Sequence, residues 1–267
     1  MPTITVNDTS LYYEDTGPGS TGETIAFSHG LLWNSEMFAA QIAALRGRYR
    51  CIAWDHRGQG RSAADHRHCI GMELLAQDAV ALLDRLGAGA VHFAGLSMGG
   101  FVAMRAAVRR PDLVRSLILI ETSIDPEPLE NVPRYRLLTA IFRTLGPRVV
   151  RNRIAPIMLG KSIIADQSRR AEVEGYVELM SRRRDVWKAV NGVIDRAGMT
   201  ANELAGIRAR TLILVGDEDV ATPRARADRM AAAIAGAQVV TIPRAGHSSS
   251  VEEPAAVTRA IESFLGG

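Results

Sequence analysis

Short apolar runs alternate along the chain with longer stretches in which apolar residues recur three and four positions apart. Apolar runs of four or five residues are typical of buried strands, and the three-and-four spacing marks one face of a helix. The predicted strands are 3–6, 11–14, 24–27, 50–54, 91–94, 117–120, 211–215 and 238–242. Because strands that alternate with helices form parallel sheets covered on both faces, this pattern predicts an α/β protein with a mostly parallel, twisted sheet of about eight strands.

The alternation stops after Thr122. A linker rich in proline and acidic residues, 125–128, is followed by residues that carry only helical stripes. One such stripe consists of Leu137, Leu138, Ile141, Phe142 and Leu145. We therefore expect a core made of residues 1–123 and 201–267, with a helical lid, residues 124–200, inserted after the sixth core strand.

A serine lies at the junction between the fifth strand and the helix that follows it. Gly95 and Gly99 flank Ser97 at the spacing G-x-S-x-G, and flanking glycines let a serine occupy a strained strand-to-helix turn with backbone packed against it. The free N–H of Met98 lies where the helix begins and where its dipole favours negative charge. We predict that Ser97 is a nucleophile with an oxyanion site beside it.

Two loops near the end of the chain offer partners for this serine, which needs a base and a group that orients the base. His247 lies in the loop after the last strand, where sheets of this class place their functional groups. Asp217, Glu218 and Asp219 follow the preceding strand, and any of the three carboxylates could face inward. We select Asp219 as the orienting acid, because Asp217 and Glu218 are better suited to form the turn.

Other residues are expected to surround the reacting atoms. The backbone N–H of Leu31, in the loop after the third strand, can turn toward the serine and act with Met98 as a second oxyanion donor. Trp33, Leu145 and Trp187 are candidate walls of the substrate pocket, as is the Met98 side chain. For each wall residue the alternative is packing in the hydrophobic core.

The composition indicates a soluble globular chain, with 47% hydrophobic residues. No run of about eighteen apolar residues and no secretory pattern is present, so we expect a cytoplasmic protein without a membrane partner. Residues 129–200 carry 14 basic and 7 acidic side chains. Because these arginines alternate with apolar helical stripes, they suit solvated helix faces, and we expect no nucleic-acid partner. Selection of anionic substrates by this arginine-rich lid is an open alternative.

The two cysteines and a histidine-rich loop suggest neither a disulfide nor a metal site. Cys51 lies in a strand and Cys69 in a polar loop, and both are predicted to be reduced thiols. The loop also contains His66 and His68, a spacing that can bind zinc. It does not match the H-x-H-x-D-H arrangement of metal-dependent lactonases, so we interpret it as a connecting loop and expect no metal and no cofactor.

Five phrases resemble the α/β-hydrolase superfamily in order and spacing, over essentially the whole chain. They are His29-Gly30, Asp55-His56-Arg57-Gly58-Gln59-Gly60-Arg61-Ser62, Gly95-Leu96-Ser97-Met98-Gly99-Gly100, Asp219-Val220-Ala221-Thr222-Pro223 and Gly246-His247. The order Ser97, Asp219, His247 is also that of the superfamily. The chain is most similar to small bacterial esterases, 3-oxoadipate enol-lactonases and cofactor-free haloperoxidases or perhydrolases.

The resemblance implies a carboxylic ester hydrolase that acts on a small ester or lactone through an acyl-serine intermediate, with an oxyanion hole formed by Leu31 and Met98. Some members carry the acid at the place of Glu121, which makes Glu121 the second candidate after Asp219. Ser97 excludes sister reactions that require an aspartate there. Carbon–carbon bond hydrolysis and perhydrolysis use similar triads and stay open, and a ligand-binding receptor on the same scaffold is the alternative outside enzymes.

Overall fold

An eight-stranded, mostly parallel sheet runs through the centre of the computed structural model, which describes residues 2–180 and 184–266. The strands are β1 (Thr3–Val6), β2 (Thr9–Asp15), β3 (Thr24–Ser28), β4 (Arg50–Trp54), β5 (Val91–Leu96), β6 (Val114–Ile120), β7 (Arg210–Gly216) and β8 (Gln238–Ile242). Their order across the sheet is β1-β2-β4-β3-β5-β6-β7-β8. Strand β2 is antiparallel to both neighbours, and the other pairs are parallel. The predicted fold class is confirmed.

Helices connect most of these strands. In the described residues they are α1 (Ala39–Leu45), α2 (Met72–Arg85), α3 (Met98–Arg109), α4 (Val132–Leu145), α5 (Pro147–Met158), α6 (Lys161–Ala165), α7 (Arg170–Met180), α8 (Trp187–Ile194), α9 (Ala201–Ala205), α10 (Arg224–Ala233), α11 (Ser249–Glu252) and α12 (Pro254–Gly266). None of these described helices combines the length and the hydropathy that crossing a bilayer requires.

The central strands are buried on both faces, as the continuous apolar runs predict. Successive side chains of a strand point to opposite faces of the sheet. In β6, Leu117 and Leu119 pack in the core on one face, whereas Ile118 and Ile120 pack in the core on the other. The sheet is therefore packed on both faces, so the loops at the strand ends start from well-buried positions.

Three loops meet at one edge of this sheet. Strands β5, β6, β7 and β8 are parallel neighbours, so their carboxyl ends lie side by side. The loops that follow β5, β7 and β8 contain Ser97, Asp219 and His247 respectively. The topology therefore brings residues that are far apart in sequence to a common site.

Between β6 and β7 the described residues contain helices α4 to α9 and no strand. The predicted lid range, 124–200, which holds α4 to α8, is called the helical insertion below. Helix α4 packs against α5 and α8. Helix α8 in turn lies against the loop before α2: the N–H of Ile70 donates to the Lys188 carbonyl over 3.0 Å. Helix α9 begins directly after this stretch, with a capping box formed by Thr200 and Glu203. The insertion follows the sixth strand. Its Ser162 and Gly160 bond to Glu218 after β7 and to Glu252 in α11.

Candidate active site

Ser97 occupies the strained turn that joins β5 to α3. Its backbone has φ +50° and ψ −109°, a conformation that L-residues rarely adopt. A Cβ atom on Gly95 would lie 2.3 Å from the Gly99 carbonyl oxygen, and one on Gly99 would lie 1.9 Å from the carbonyl oxygen of Ser28. Only glycine fits at both positions, so the flanking glycines are required by close backbone contact.

His247 lies between Ser97 and Asp219. Its Nε2 atom is 2.8 Å from the Ser97 hydroxyl oxygen, and its Nδ1 atom is 2.9 Å from Oδ2 of Asp219. All three side chains are buried or nearly so. The structure thus brings together the three residues selected from the sequence, with hydroxyl, imidazole and carboxylate in series.

Four hydrogen bonds fix the Asp219 carboxylate. Oδ1 accepts from the N–H groups of Ala221 and Thr222. Oδ2 accepts from the Thr222 hydroxyl at 2.6 Å and from Nδ1 of His247 at 2.9 Å. Burial alone would raise the pKa of Asp219, but the neighbouring imidazole and these hydrogen bonds outweigh it and hold the pKa below its ordinary value. The carboxylate therefore stays ionised beside the imidazole.

The other two carboxylates of the same turn point elsewhere. Oδ1 of Asp217 accepts the N–H of Arg244 at 2.7 Å. Glu218 accepts both the N–H and the hydroxyl of Ser162, in the helical insertion, at 2.8 and 2.6 Å. Each of these side chains holds a neighbouring segment in place, and neither is bonded to the imidazole.

Glu121, the second candidate acid, lies behind Asp219. It is 1% exposed, and its two carboxylate oxygens each lie 2.9 Å from the N–H of Gly216. The pKa of Glu121 is raised well above its ordinary value, mainly by burial and to a smaller extent by the nearby charge of Asp219. The hydrogen-bonded side-chain neighbours of His247 are Ser97, Asp219 and Thr222.

A further buried carboxylate, Glu252, holds the histidine loop. It is 1% exposed and accepts the N–H groups of Gly246 and Ser248, on either side of His247, at 3.1 and 3.0 Å. It also accepts the N–H of Gly160, in the helical insertion, at 2.7 Å. Sequence reasoning missed Glu252 because its partners are set by tertiary structure, although its place five residues after His247 was visible.

Two backbone amides are free to meet an oxyanion. Met98 is the first residue of α3, so its N–H has no intrahelical acceptor. Leu31 lies in the turn after β3 and lines the same cavity as Ser97. Neither amide donates a hydrogen bond to another described residue. Their positions suit the predicted donor role.

A cavity of about 160 Å³ opens beside the serine hydroxyl and His247. Its walls come from the loop after β3, from α3, from the turn after β7 and from the helical insertion. The lining residues are Leu31, Leu32, Ser97, Phe101, Glu127, Tyr135, Leu138, Thr139, Phe142, Val150, Ile154, Ile157, Met158, Val190, Val193, Ile194, Arg196, Ala221, Thr222 and His247. Most are apolar, so the cavity favours a small and largely apolar group.

The structure places the four predicted pocket walls outside this lining. The Met98 side chain is fully buried in the hydrophobic core. Trp33 is 3% exposed in the core, where its indole N–H donates to the Ser248 hydroxyl at 3.1 Å. Leu145, at the end of α4, is 65% exposed. Trp187 stacks on His68, with the Arg143 guanidinium over its ring. The prediction needs correction because large apolar residues also serve the core and helix surfaces, and the walls come from other positions of the helical stripes.

The histidine-rich loop is held by ion pairs and by the contact with Trp187. Asp65 accepts from the guanidinium of Arg57 at 2.8 Å. Cys51 is buried and Cys69 exposed, and both are free thiols. Among the side chains that the structure describes, no group of three or more histidines, cysteines or carboxylates is arranged to hold a metal ion.

Comparison with known proteins gives a consistent assignment. A model described as the alpha/beta hydrolase family matches residues 25–260. A putative carbamate hydrolase RutD from Pseudomonas savastanoi pv. phaseolicola is 27% identical, over 90% of this chain and 93% of that protein. An esterase from Thermogutta terrifontis, solved with malate bound, has a TM-score of 0.90 and 29% identity over 99% of this chain and 98% of its own. The enol-lactonase from Burkholderia xenovorans LB400 has a TM-score of 0.89 and 26% identity, with both chains fully covered.

Proposed function

Because the chain belongs to the alpha/beta hydrolase family and is a hydrolase, we propose that it cleaves small carboxylic esters through an acyl-serine intermediate. Ser97 is the nucleophile, His247 the general base and Asp219 the group that orients and stabilises the imidazole. The backbone N–H groups of Leu31 and Met98 stabilise the oxyanion. The observation that carries the proposal is the series of two contacts, 2.8 Å and 2.9 Å long, that joins hydroxyl, imidazole and carboxylate.

The reaction follows from these positions. Nε2 of His247 takes the Ser97 proton as the hydroxyl oxygen attacks the ester carbonyl, and the two amides bind the resulting oxyanion. The tetrahedral intermediate collapses, the C–O bond to the alcohol breaks, and the imidazolium gives its proton to the leaving oxygen. Water, deprotonated by the same imidazole, then attacks the acyl-serine and releases the acid and the free serine.

The cavity supports a small substrate. Its volume of about 160 Å³ is close to that of a cavity that holds one benzene molecule, so the group it receives has about six non-hydrogen atoms. Lactones are a natural subclass, since they are cyclic esters, and one similar structure is an enol-lactonase.

Carbamate hydrolysis is a second candidate. Several curated relatives at 26–27% identity are named putative carbamate hydrolases. A carbamate presents the same carbonyl to the serine, and its tetrahedral intermediate needs the same two amide donors. A shared panel of 4-nitrophenyl acetate, a small lactone and a small carbamate distinguishes the candidates by their kcat/KM values.

The decisive experiment is pre-steady-state hydrolysis of 4-nitrophenyl acetate by the wild type and by Ser97→Ala. An acyl-serine mechanism gives a nitrophenol burst of about one equivalent, and the variant should lose about six orders of magnitude in kcat. A Ser97→Ala protein that keeps its esterase rate would refute the assignment. A wild type that binds esters without turning them over would favour the receptor alternative, and a faster reaction with hydrogen peroxide than with water would favour perhydrolysis.

A further inference from the structure

The helical insertion gives the cavity beside Ser97 several polar lining residues. Among them are Glu127, which follows β6, Tyr135 on α4 and Arg196 after α8. Arg196 and Glu127 form an ion pair with an N···O distance of 2.9 Å and side-chain exposures of 3% and 11%. A buried ion pair in the wall of an otherwise apolar cavity is costly unless its remaining donors and acceptors are used.

The existing partners leave donors free. In Arg196, Nε donates to the carbonyl of Asp125 at 3.2 Å, and Nη1 donates to Glu127 and to the carbonyl of Val193. Within the described part of the chain, Nη2 of Arg196 and the hydroxyl of Tyr135 make no hydrogen bond. Because Arg196 is almost fully buried and lines the cavity with Tyr135, these two donors can be satisfied by an oxygen inside the cavity.

The contact of Arg196 with α3 relates these donors to the reacting serine. The Arg196 guanidinium lies over the ring of Phe101, with its central carbon 4.5 Å from the ring centroid. Phe101 lies on α3, four residues after Ser97, which immediately precedes the helix, and this separation is about 6 Å along the helix axis. An extended chain spans that distance in about five bonds. We therefore choose a second oxygen on the fifth carbon of an acyl chain as the group to test against the Arg196 side of the cavity when the first carbon is bonded to Ser97.

The charges of the walls decide the chemistry of that oxygen. Arg196 and Glu127 are the charged residues of the lining, leaving aside His247, and they neutralise each other. A substrate carboxylate would have to lose its water shell and lie close to Glu127, whereas a neutral carbonyl or hydroxyl oxygen accepts from the free donors without that cost. Arg105 and Arg226 lie near enough to act on Arg196 electrostatically, so a carboxylate is the competing ligand that the test must include.

We propose that Arg196 and Tyr135 form a second recognition site that selects acyl groups with a neutral oxygen about five bonds from the reacting carbonyl. This inference rests on the proposed ester hydrolysis at Ser97 and names its substrate class: keto or hydroxy acyl esters and the corresponding substituted lactones. Glu127 is the counter-charge that keeps the Arg196 guanidinium in place.

The experiment compares three 4-nitrophenyl esters, those of hexanoic acid, 5-oxohexanoic acid and glutaric acid as its monoester. The first two differ by one carbonyl oxygen, and the third places a carboxylate at the same carbon. The wild type should hydrolyse the 5-oxohexanoate with a kcat/KM at least about tenfold above that of hexanoate, the gain expected for one hydrogen bond from a charged donor. The glutarate monoester should be poorer than the 5-oxohexanoate.

Two variants and two controls assign this ratio to the site. Tyr135→Phe removes only the hydroxyl and should lower the ratio, and the double variant Arg196→Met with Glu127→Leu should bring it to about one. The double replacement avoids leaving a lone buried carboxylate. The matched controls are Tyr13→Phe on β2 and Arg170→Met on α7, whose side chain is 74% exposed and paired with Glu174. Both should keep the wild-type ratio.

Each outcome decides something. A wild-type ratio near one, or a ratio that both site variants preserve, overturns the recognition site while ester hydrolysis stands. A glutarate preference overturns the neutral class and assigns the site to carboxylates. If the double variant fails to fold by thermal unfolding, Tyr135→Phe alone carries the test. If the wild type hydrolyses none of the three esters and shows no burst with 4-nitrophenyl acetate, the proposed function itself fails and the recognition site with it.

Discussion

Replacing Asp219 by asparagine tests the tautomer of the imidazole. Oδ1 of Asp219 accepts two backbone N–H groups, from Ala221 and Thr222, so the amide oxygen of an asparagine must occupy that position. Its NH2 group then faces Nδ1 of His247 across 2.9 Å. Two donors cannot share that contact, so Nδ1 becomes the acceptor and the proton moves to Nε2, where it points at the Ser97 hydroxyl.

An imidazole with its proton on Nε2 cannot take the serine proton. The same replacement in a serine protease triad lowers kcat by about four orders of magnitude with the geometry intact. We therefore expect Asp219→Asn to lose about 10⁴ in kcat, equivalent to about 5.5 kcal/mol of transition-state stabilisation. The KM for a small ester should change little, because Asp219 does not line the cavity.

Steady-state hydrolysis of 4-nitrophenyl acetate measures this loss, and thermal unfolding shows that the variant is folded. Glu121→Gln is the matched control, since it makes the same carboxylate-to-amide change at a buried site that lies beside Asp219 and is bonded to Gly216 and not to His247. It should keep the wild-type order of magnitude in kcat. A folded Asp219→Asn that retains more than about a tenth of wild-type kcat refutes the tautomer argument, and a collapse in Glu121→Gln would transfer the acid role to Glu121.

Three other predictions concern stability. Burial raises the pKa of Glu121, so the stability that its protonated form gives the fold is present at low pH and is lost as pH rises above the ordinary carboxyl range. Because glutamine stays neutral, the Tm of Glu121→Gln minus the Tm of the wild type should grow between pH 5 and pH 8, and a constant difference would contradict this. Gly99→Ala places a Cβ atom 1.9 Å from the Ser28 carbonyl oxygen and should lower the free energy of unfolding, measured in denaturant, by more than about 4 kcal/mol. The control Gly47→Ala, with open space at its Cβ, should change it by less than about 0.5 kcal/mol. Glu252→Gln replaces one oxygen that accepts backbone N–H groups by an NH2 donor. It should lower kcat, and it should lower the Tm measured by calorimetry by about 6 °C or more. The control Glu253→Gln, at the half-buried neighbouring residue, should change neither quantity appreciably.

The local parts of the fold could be read from the sequence. Strands such as Val91–Leu96 are marked by continuous apolar runs. The turn at Ser97 is marked by two glycines, which are needed because neighbouring backbone leaves no room for a Cβ atom. The choice of Asp219 over Asp217 followed from turn geometry that the next helix fixes within a few residues. These features depend on interactions near in sequence or on the fixed topology of a parallel sheet.

The walls of the cavity could not be read in the same way. A helical stripe says which residues are apolar, but it does not say whether they face the site, the core or another helix. Leu138 and Leu145 belong to one stripe of α4, yet Leu138 lines the cavity and Leu145 is exposed. The Arg196–Glu127 pair joins positions 69 residues apart, and nothing local distinguishes either residue from its charged neighbours.

The close contact between Gly160 and Gly246 sets which part of the helical insertion can be replaced by a segment from another protein. A Cβ atom on Gly246 would lie 2.2 Å from the Gly160 nitrogen, so the two backbones meet without room for a side chain. A chimaera that takes pocket-lining helices from another protein should therefore be joined on the amino-terminal side of Met158. The loop that contains His247 then keeps its contact with Gly160. Libraries that randomise α4 and α5 can then search new specificities while the reacting groups stay in register.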